Sequence, residues 1–139
     1  MSDVVSCKCG ETEITFSGDP KFCGYCHCSD CRSAGCSAVH QGLAYPADNV
    51  NLSKGTLIEC KQRETRTDYS CSKCGQTMFN SNKFGLKCLS AYNFWDAATN
   101  AVPAKFAPQL HICYAERVFD VEDGLPKYMD FPGSLLYVF

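Results

Sequence analysis

Apolar and polar side chains alternate with a period of two along much of this chain, the mark of half-buried strands. Thr12, Ile14 and Phe16 alternate with Glu11, Glu13 and Thr15. Val4-Val5-Ser6 precedes them, so Cys7-Lys8-Cys9-Gly10 reads as the turn of a hairpin, with Gly10 supplying the positive φ that a tight turn needs. Gly18-Asp19-Pro20 ends the hairpin. Residues 36–45 read as another strand, with Cys36, Ala38 and His40 on one face, reached through the small-residue loop Ser33-Ala34-Gly35. Val50-Asn51-Leu52 is a short strand, and residues 56–60 and 65–69 pair around a polar turn. Residues 77–79, 86–92 and 109–114 complete the set. No stretch holds helical periodicity for three turns. Residues 96–108 read as an Ala- and Pro-rich loop with one helical turn, and residues 123–133 as a coil held by its aromatics. The expectation is a mainly β fold with much coil and little helix.

Composition narrows the function classes. A chain of 139 residues, 45% hydrophobic and 20% charged, suits one globular domain spanning 1–139. A net charge of -2 and a pI near 5.9 offer no basic patch, which argues against nucleic acid as the partner. No apolar run reaches the ~20 residues of a membrane span, and Met1 to Ser6 carries no signal-peptide pattern. A cytoplasmic, reducing setting is expected. There, twelve cysteines bunched as C-x-C and C-x-x-C read as metal ligands rather than a disulfide framework.

Cys26-His27-Cys28-Ser29-Asp30-Cys31 places three thiols close enough to share one tetrahedral metal. Cys7 with Cys9, and Cys71 with Cys74, are glycine-ended knuckles that, if joined, would make a closed four-sulfur structural site. Which knuckles pair stays open from spacing alone, since the central three have a fourth ligand available from either flanking pair. If the outer four pair, the central site holds three thiolates and an open position. Such a zinc is a poor activator of water but a good binder of a substrate thiol, which favours carbon–sulfur chemistry over hydrolysis. The alternative is a second structural site closed by Cys23, His27 or His40. Cys23, Cys36, Cys60, Cys88 and Cys113 read as small buried hydrophobes, His27 as pointing away from the metal, and His111 as structural. His40 and Trp95 are the candidate substrate-binding residues. With Tyr92 and Phe94 they suggest a pocket for a group larger than formaldehyde, the alternative being that these rings fill the core. No Ser/His/Asp set, phosphate loop or dinucleotide fingerprint is present.

The four cysteine elements, with Asp123-Gly124-Leu125-Pro126, resemble the glutathione-dependent formaldehyde-activating enzyme family, also called the centromere-protein-V type. The resemblance runs from Cys7 to about Gly133 and includes the order and spacing of seven cysteines. It implies an Mss4-like fold, a tent of β-sheets. It implies two zinc ions, one structural on Cys7, Cys9, Cys71 and Cys74 and one reactive on Cys26, Cys28 and Cys31. It also implies a lyase that joins a carbonyl carbon to the sulfur of glutathione. Phe94-Trp95-Asp96, the loop after them and Cys23 depart from the family pattern and point to a bulkier glutathione adduct. The competing expectation is a non-catalytic zinc-stabilised binding module on the same Mss4-like fold.

Overall fold

A computed structural model describes residues 2–94 and 97–138. The chain is mainly β, as its alternation predicts. It runs β1 (Ser2–Ser6), β2 (Glu13–Ser17), β3 (Phe22–Cys26), α1 (Ser29–Gly35), β4 (His40–Pro46), β5 (Val50–Lys54), β6 (Leu57–Arg63), β7 (Arg66–Cys71), β8 (Thr77–Asn82), β9 (Leu86–Ser90) and β10 (Leu110–Ile112). Short 3-10 turns at Ala47–Asn49, Ala91–Phe94, Ala104–Phe106 and Tyr114–Glu116 link them. Strands β1, β2 and β5 form a small antiparallel sheet. The larger sheet has the order β10-β3-β4-β9-β8-β7-β6, antiparallel except where β10 joins β3. No helix among the described residues is long and apolar enough to cross a membrane.

The core fills the space between the sheets. Val5, Ile14 and Phe16 from the small sheet meet Cys23, Leu43, Tyr45, Met78, Phe79 and Leu89 from the large one. Phe16 stands edge-on to Tyr45 and Phe94, at centroid distances of 5.3 and 5.5 Å. Each such fully buried side chain contributes about 1.5–3 kcal/mol of transfer free energy. The pleat then dictates what the other face of the large sheet carries. Cys23 and Leu43 point to the core, so Gly24, Cys26, His40, Gly42 and Ala44 point to the opposite face, where they line a cavity. Gly24 pairs with both Gly42 and Leu110. A Cβ at Gly24 would meet the Leu110 carbonyl oxygen at 2.6 Å, so this glycine is what lets β10 close the sheet.

One sequence expectation fails in this region. Residues 36–45 are not one strand: α1 follows the knuckle, Cys36 caps it in the left-handed region at φ 50°, and the strand starts at His40. Cys36 and Ala38 therefore share no strand face with His40. The helix escapes a sequence reading because the sulfur of Cys28 is its N-cap, accepting the Cys31 N–H at 3.3 Å. Ser, Thr, Asp and Asn are the usual cap signals, and seven residues are too few to show periodicity. Likewise Cys23 and Cys113 are buried, but Cys36 and Cys60 are exposed and Cys88 only part-buried, so the five extra cysteines are not uniformly core.

The tail is an ordered coil bound to β10 by a buried polar chain. His27 Nε2 lies 2.8 Å from His111 Nδ1, and His111 Nε2 lies 2.7 Å from Asp123 Oδ2. Lys127, 2% exposed, donates to Asp123 Oδ1 at 2.8 Å and to the Leu125 carbonyl at 2.9 Å. Both histidines are buried against Tyr114. Partial burial opposes ionisation of Asp123, but Lys127, His111 and the Leu125 N–H outweigh it and bring the carboxyl down to about 2. A depressed carboxyl stabilises the fold above its unfolded value and loses that contribution as pH falls through the folded value. Asp123→Asn removes the carboxylate that pairs with the buried Lys127 ammonium and should cost about 3 kcal/mol at neutral pH. Denaturant unfolding at a series of pH values should show the gap between wild type and variant constant above about pH 4 and narrowing below it. A gap independent of pH would refute the ion-pair account.

Candidate functional site

The two outer knuckles meet. Cys7 and Cys9 sit in the β1–β2 turn and Cys71 and Cys74 in the β7–β8 turn, with all four sulfurs within 4.8 Å of one another. The turns are built alike. The N–H of Gly10 bonds the Cys7 carbonyl at 3.0 Å and that of Gly75 the Cys71 carbonyl at 2.9 Å, each glycine at φ 76°. Gln76 Oε1 accepts the Lys8 N–H at 2.7 Å and locks one turn to the other. Backbone N–H groups also point at sulfur: Thr12 at Cys7 (3.3 Å), and Lys73 and Cys74 at Cys71 (3.4 and 3.5 Å). Donors aimed at sulfur favour the thiolate, and the Cys74 N–H is foremost in drawing the Cys71 thiol down to about 6. Four soft donors on two preformed turns fit a closed tetrahedral zinc site.

The sulfurs of Cys26, Cys28 and Cys31 form the second group, again within 4.8 Å of one another. Cys26 ends β3, Cys28 caps α1 and Cys31 lies in its first turn, so strand and helix together aim the three sulfurs inward. Cys26 and Cys28 are 3.4 Å apart. Arg66 Nη1 donates to the Cys31 sulfur at 3.0 Å, and Arg66 Nη2 to Asp68 Oδ1 at 2.9 Å. This part-buried guanidinium offsets thiolate charge from outside the knuckle, as hydrogen-bonding supports of metal ligands do. A second neighbour is Cys113, which lines the same cavity as Cys26 and Cys28. Hydrogen bonds from Cys113, Cys26 and Cys31 pull the Cys28 thiol far below its ordinary value. The donor set again suits zinc.

The two groups differ in what they face. A cavity of about 470 Å³ is lined by Cys26, Cys28 and Cys31, and by none of the outer four cysteines. A smaller one of about 280 Å³ adjoins it, with Cys31, His40, Arg66, Asn80 and Cys88 lining both. Asn80, Asn82 and Arg66 supply polar lining; Phe22, Phe84 and Phe131 supply the apolar part. Phe84 and Phe131 stack edge-to-face at 4.5 Å. Two buried polar atoms here, His40 Nε2 and Asp68 Oδ2, have no protein hydrogen-bond partner. Gly42 makes room for the histidine, since a Cβ there would stand 3.2 Å from His40 Nε2. Burial lowers His40 below its ordinary value, which keeps the ring neutral near pH 7.

The structure thus brings His40 to the three-cysteine knuckle, with Cys26 as its cross-strand partner. His27 points away into the buried chain with His111. Cys23 belongs to the core. The expected aromatic wall is built from other residues: Phe94 packs on Phe16 and Phe106, Tyr92 is half exposed, and neither lines the cavity. Trp95 lies outside the described residues. The sequence reading passed over Arg66 and took Cys113 for a small buried hydrophobe. Arg66 left a faint trace, an opposite charge at Asp68 on the same strand face. Cys113 left none, because only the parallel pairing of β10 with β3 brings it beside a knuckle far away in sequence.

No curated protein matches the chain. A crystal structure of a Rhodobacter sphaeroides protein aligns with a TM-score of 0.49 at 18% identity, covering 66% of this chain and 85% of that one. The family model described as glutathione-dependent formaldehyde-activating enzyme matches residues 4–116. That stretch contains both sulfur groups, Arg66 and Cys113, and with most of the chain matched, the chain belongs to the glutathione-dependent formaldehyde-activating enzyme family.

Proposed function

We propose that this protein is a zinc-dependent carbon–sulfur lyase or synthase acting on glutathione or a glutathione adduct. The observation that carries the reading is the unequal setting of the two sulfur groups. The knuckle of Cys26, Cys28 and Cys31 opens onto the large cavity, and the cluster of Cys7, Cys9, Cys71 and Cys74 lines neither cavity. The first three would hold a reactive zinc and the other four a structural one. A zinc on three thiolates supplies an acceptor for a further sulfur and lowers the pKa of the thiol it takes.

The protein's own groups do the rest. The reaction is addition of a thiol S–H across a carbonyl: a carbon–sulfur bond forms and the thiol proton ends on the oxygen, with the reverse for cleavage. Arg66 holds Cys31 and tempers the charge of the knuckle. His40 Nε2, buried and without a protein partner, is placed to hydrogen-bond the adduct oxygen. Asn80 and Asn82 offer amides to the peptide part of glutathione. Phe22, Phe84 and Phe131 give the carbon-side substituent an apolar wall, so groups larger than formaldehyde belong among the substrates. A cavity of about 470 Å³ lies within the range of small-molecule sites, roughly 300–1,000 Å³.

Purified zinc-loaded protein, given glutathione and a panel of aldehydes of increasing size, should form hydroxyalkyl thioethers measurable by NMR. Absence of turnover across the panel, with glutathione leaving the metal site unperturbed, would favour a binding module instead. Arg66→Lys keeps the charge but loses the fork that spans Cys31 and Asp68. It should weaken zinc at the knuckle or activity about 10–100-fold while sparing the other zinc.

The division of labour between the sulfur groups has its own test. Cys71→Ser should remove folding free energy on the order of 10 kcal/mol and leave little folded protein. Cys28→Ser should stay folded, with close to one zinc per chain and no turnover. Calorimetry with metal analysis separates the two, and equal loss of thermal stability would overturn the division.

A further inference from the structure

Five cysteines line the cavity: the three of the knuckle, Cys88, whose sulfur accepts from Asn82 Nδ2 at 3.6 Å, and Cys113. Ile112 is the parallel partner of Cys26, and the His27 N–H bonds the Ile112 carbonyl at 3.2 Å, so the next residue, Cys113, arrives beside the knuckle. Cys113 leaves the strand in the left-handed region, φ 52° and ψ 36°, a conformation that a residue with a Cβ rarely adopts. The backbone holds it there: its N–H bonds the Asp130 carbonyl at 2.7 Å and its carbonyl accepts the Glu116 N–H at 3.0 Å. Glu116 Oε1 in turn takes the Ser29 N–H at 3.2 Å, tying this corner to the start of α1. Cys113 is 7% exposed and lines the same cavity as the knuckle, one residue beyond the strand partner of Cys26.

We propose that Cys113 is the fourth sulfur of the reactive site, closing it at rest and giving up its place to the substrate thiol. The inference rests on the thiol-dependent reading above and adds how the open position is guarded. Cys113 lines the cavity beside the knuckle and lies outside the mutual 4.8 Å group that Cys26, Cys28 and Cys31 form. A sulfur so placed enters or leaves the fourth position by a side-chain rotation, without moving the strand. The exchange balances. The substrate enters as R–SH and would take the fourth place through its sulfur; its proton passes to the departing Cys113, and from that thiol to the adduct oxygen when Cys113 returns; the count of four thiolates and the site's charge are unchanged. No external base or redox partner is needed. The consequence is selectivity: in the absence of a thiol the site is coordinatively closed, so water and free aldehyde find no open place.

Cadmium NMR of the protein carrying two cadmium ions reads the ligands of each site separately. Wild type should give two resonances, both in the four-thiolate range. Cys113→Ser should shift one of them to the position of three sulfurs and one oxygen and leave the other in place. Adding glutathione to Cys113→Ser should return that resonance to the four-thiolate range. In the wild-type zinc protein, glutathione should raise the rate of Cys113 alkylation by iodoacetamide about tenfold, since a released thiol regains reactivity. Two results overturn the proposal: a wild-type spectrum that already shows a three-sulfur site unaffected by Cys113→Ser, or Cys113 alkylation indifferent to glutathione. Failure of the lyase reading looks different: no thioether product forms, although the resonance still responds to Cys113→Ser.

Discussion

The pleat of β3 and β4 is the constraint on which the rest of this structure depends. These two strands must serve a hydrophobic core on one face and a chemical site on the other, and a period of two allows only one assignment of residues to faces. Cys23, Leu43 and Tyr45 go inward, and Gly24, Cys26, His40 and Gly42 go outward. A slip of one residue would turn His40 toward the core and bring Leu43 to the cavity. The register is held where β4 pairs with β9 as well as with β3, so core packing on one side positions the chemistry on the other.

On that frame the two cysteine groups solve different electrostatic problems. The outer four receive backbone N–H groups from their own turns and cross-link two hairpins through Gln76. Their charge is handled locally, which suits a clasp. The knuckle borrows support from elsewhere: Arg66 from β7, Cys113 from the end of β10, and the Cys31 N–H from α1. Assembling that support requires the whole large sheet, and it leaves one side of the sulfurs facing a cavity. A group of ligands that depends on distant parts of the fold, and borders open space, is suited to exchange.

The tail belongs to the same design. The buried run from His27 through His111 and Asp123 to Lys127 fixes the residue between two of the knuckle cysteines. It also anchors β10, and with it Cys113, against β3. The Asp123-Gly124-Leu125-Pro126 segment thus acts on the site through packing and hydrogen bonds rather than by touching a ligand.

Strand alternation and cysteine spacing, both local properties, were legible without a structure: the hairpin at Cys7 to Phe16, the mainly β class, and the two sorts of sulfur group. Spacing did not show which knuckles pair; residues 7–9 and 71–74 come together only because β1–β2 packs on the large sheet. The helix after Cys28 was hidden because its cap is a sulfur, a signal that local propensity does not carry. Phe94 took the alternative that the sequence left open and joined the core, since sequence shows that the ring is apolar but not which side of a sheet it packs against. Arg66, the free Nε2 of His40 and Cys113 are the work of the tertiary structure alone. Each reaches the knuckle through strand pairings that close long loops, and no period or spacing along the chain records a contact of that kind.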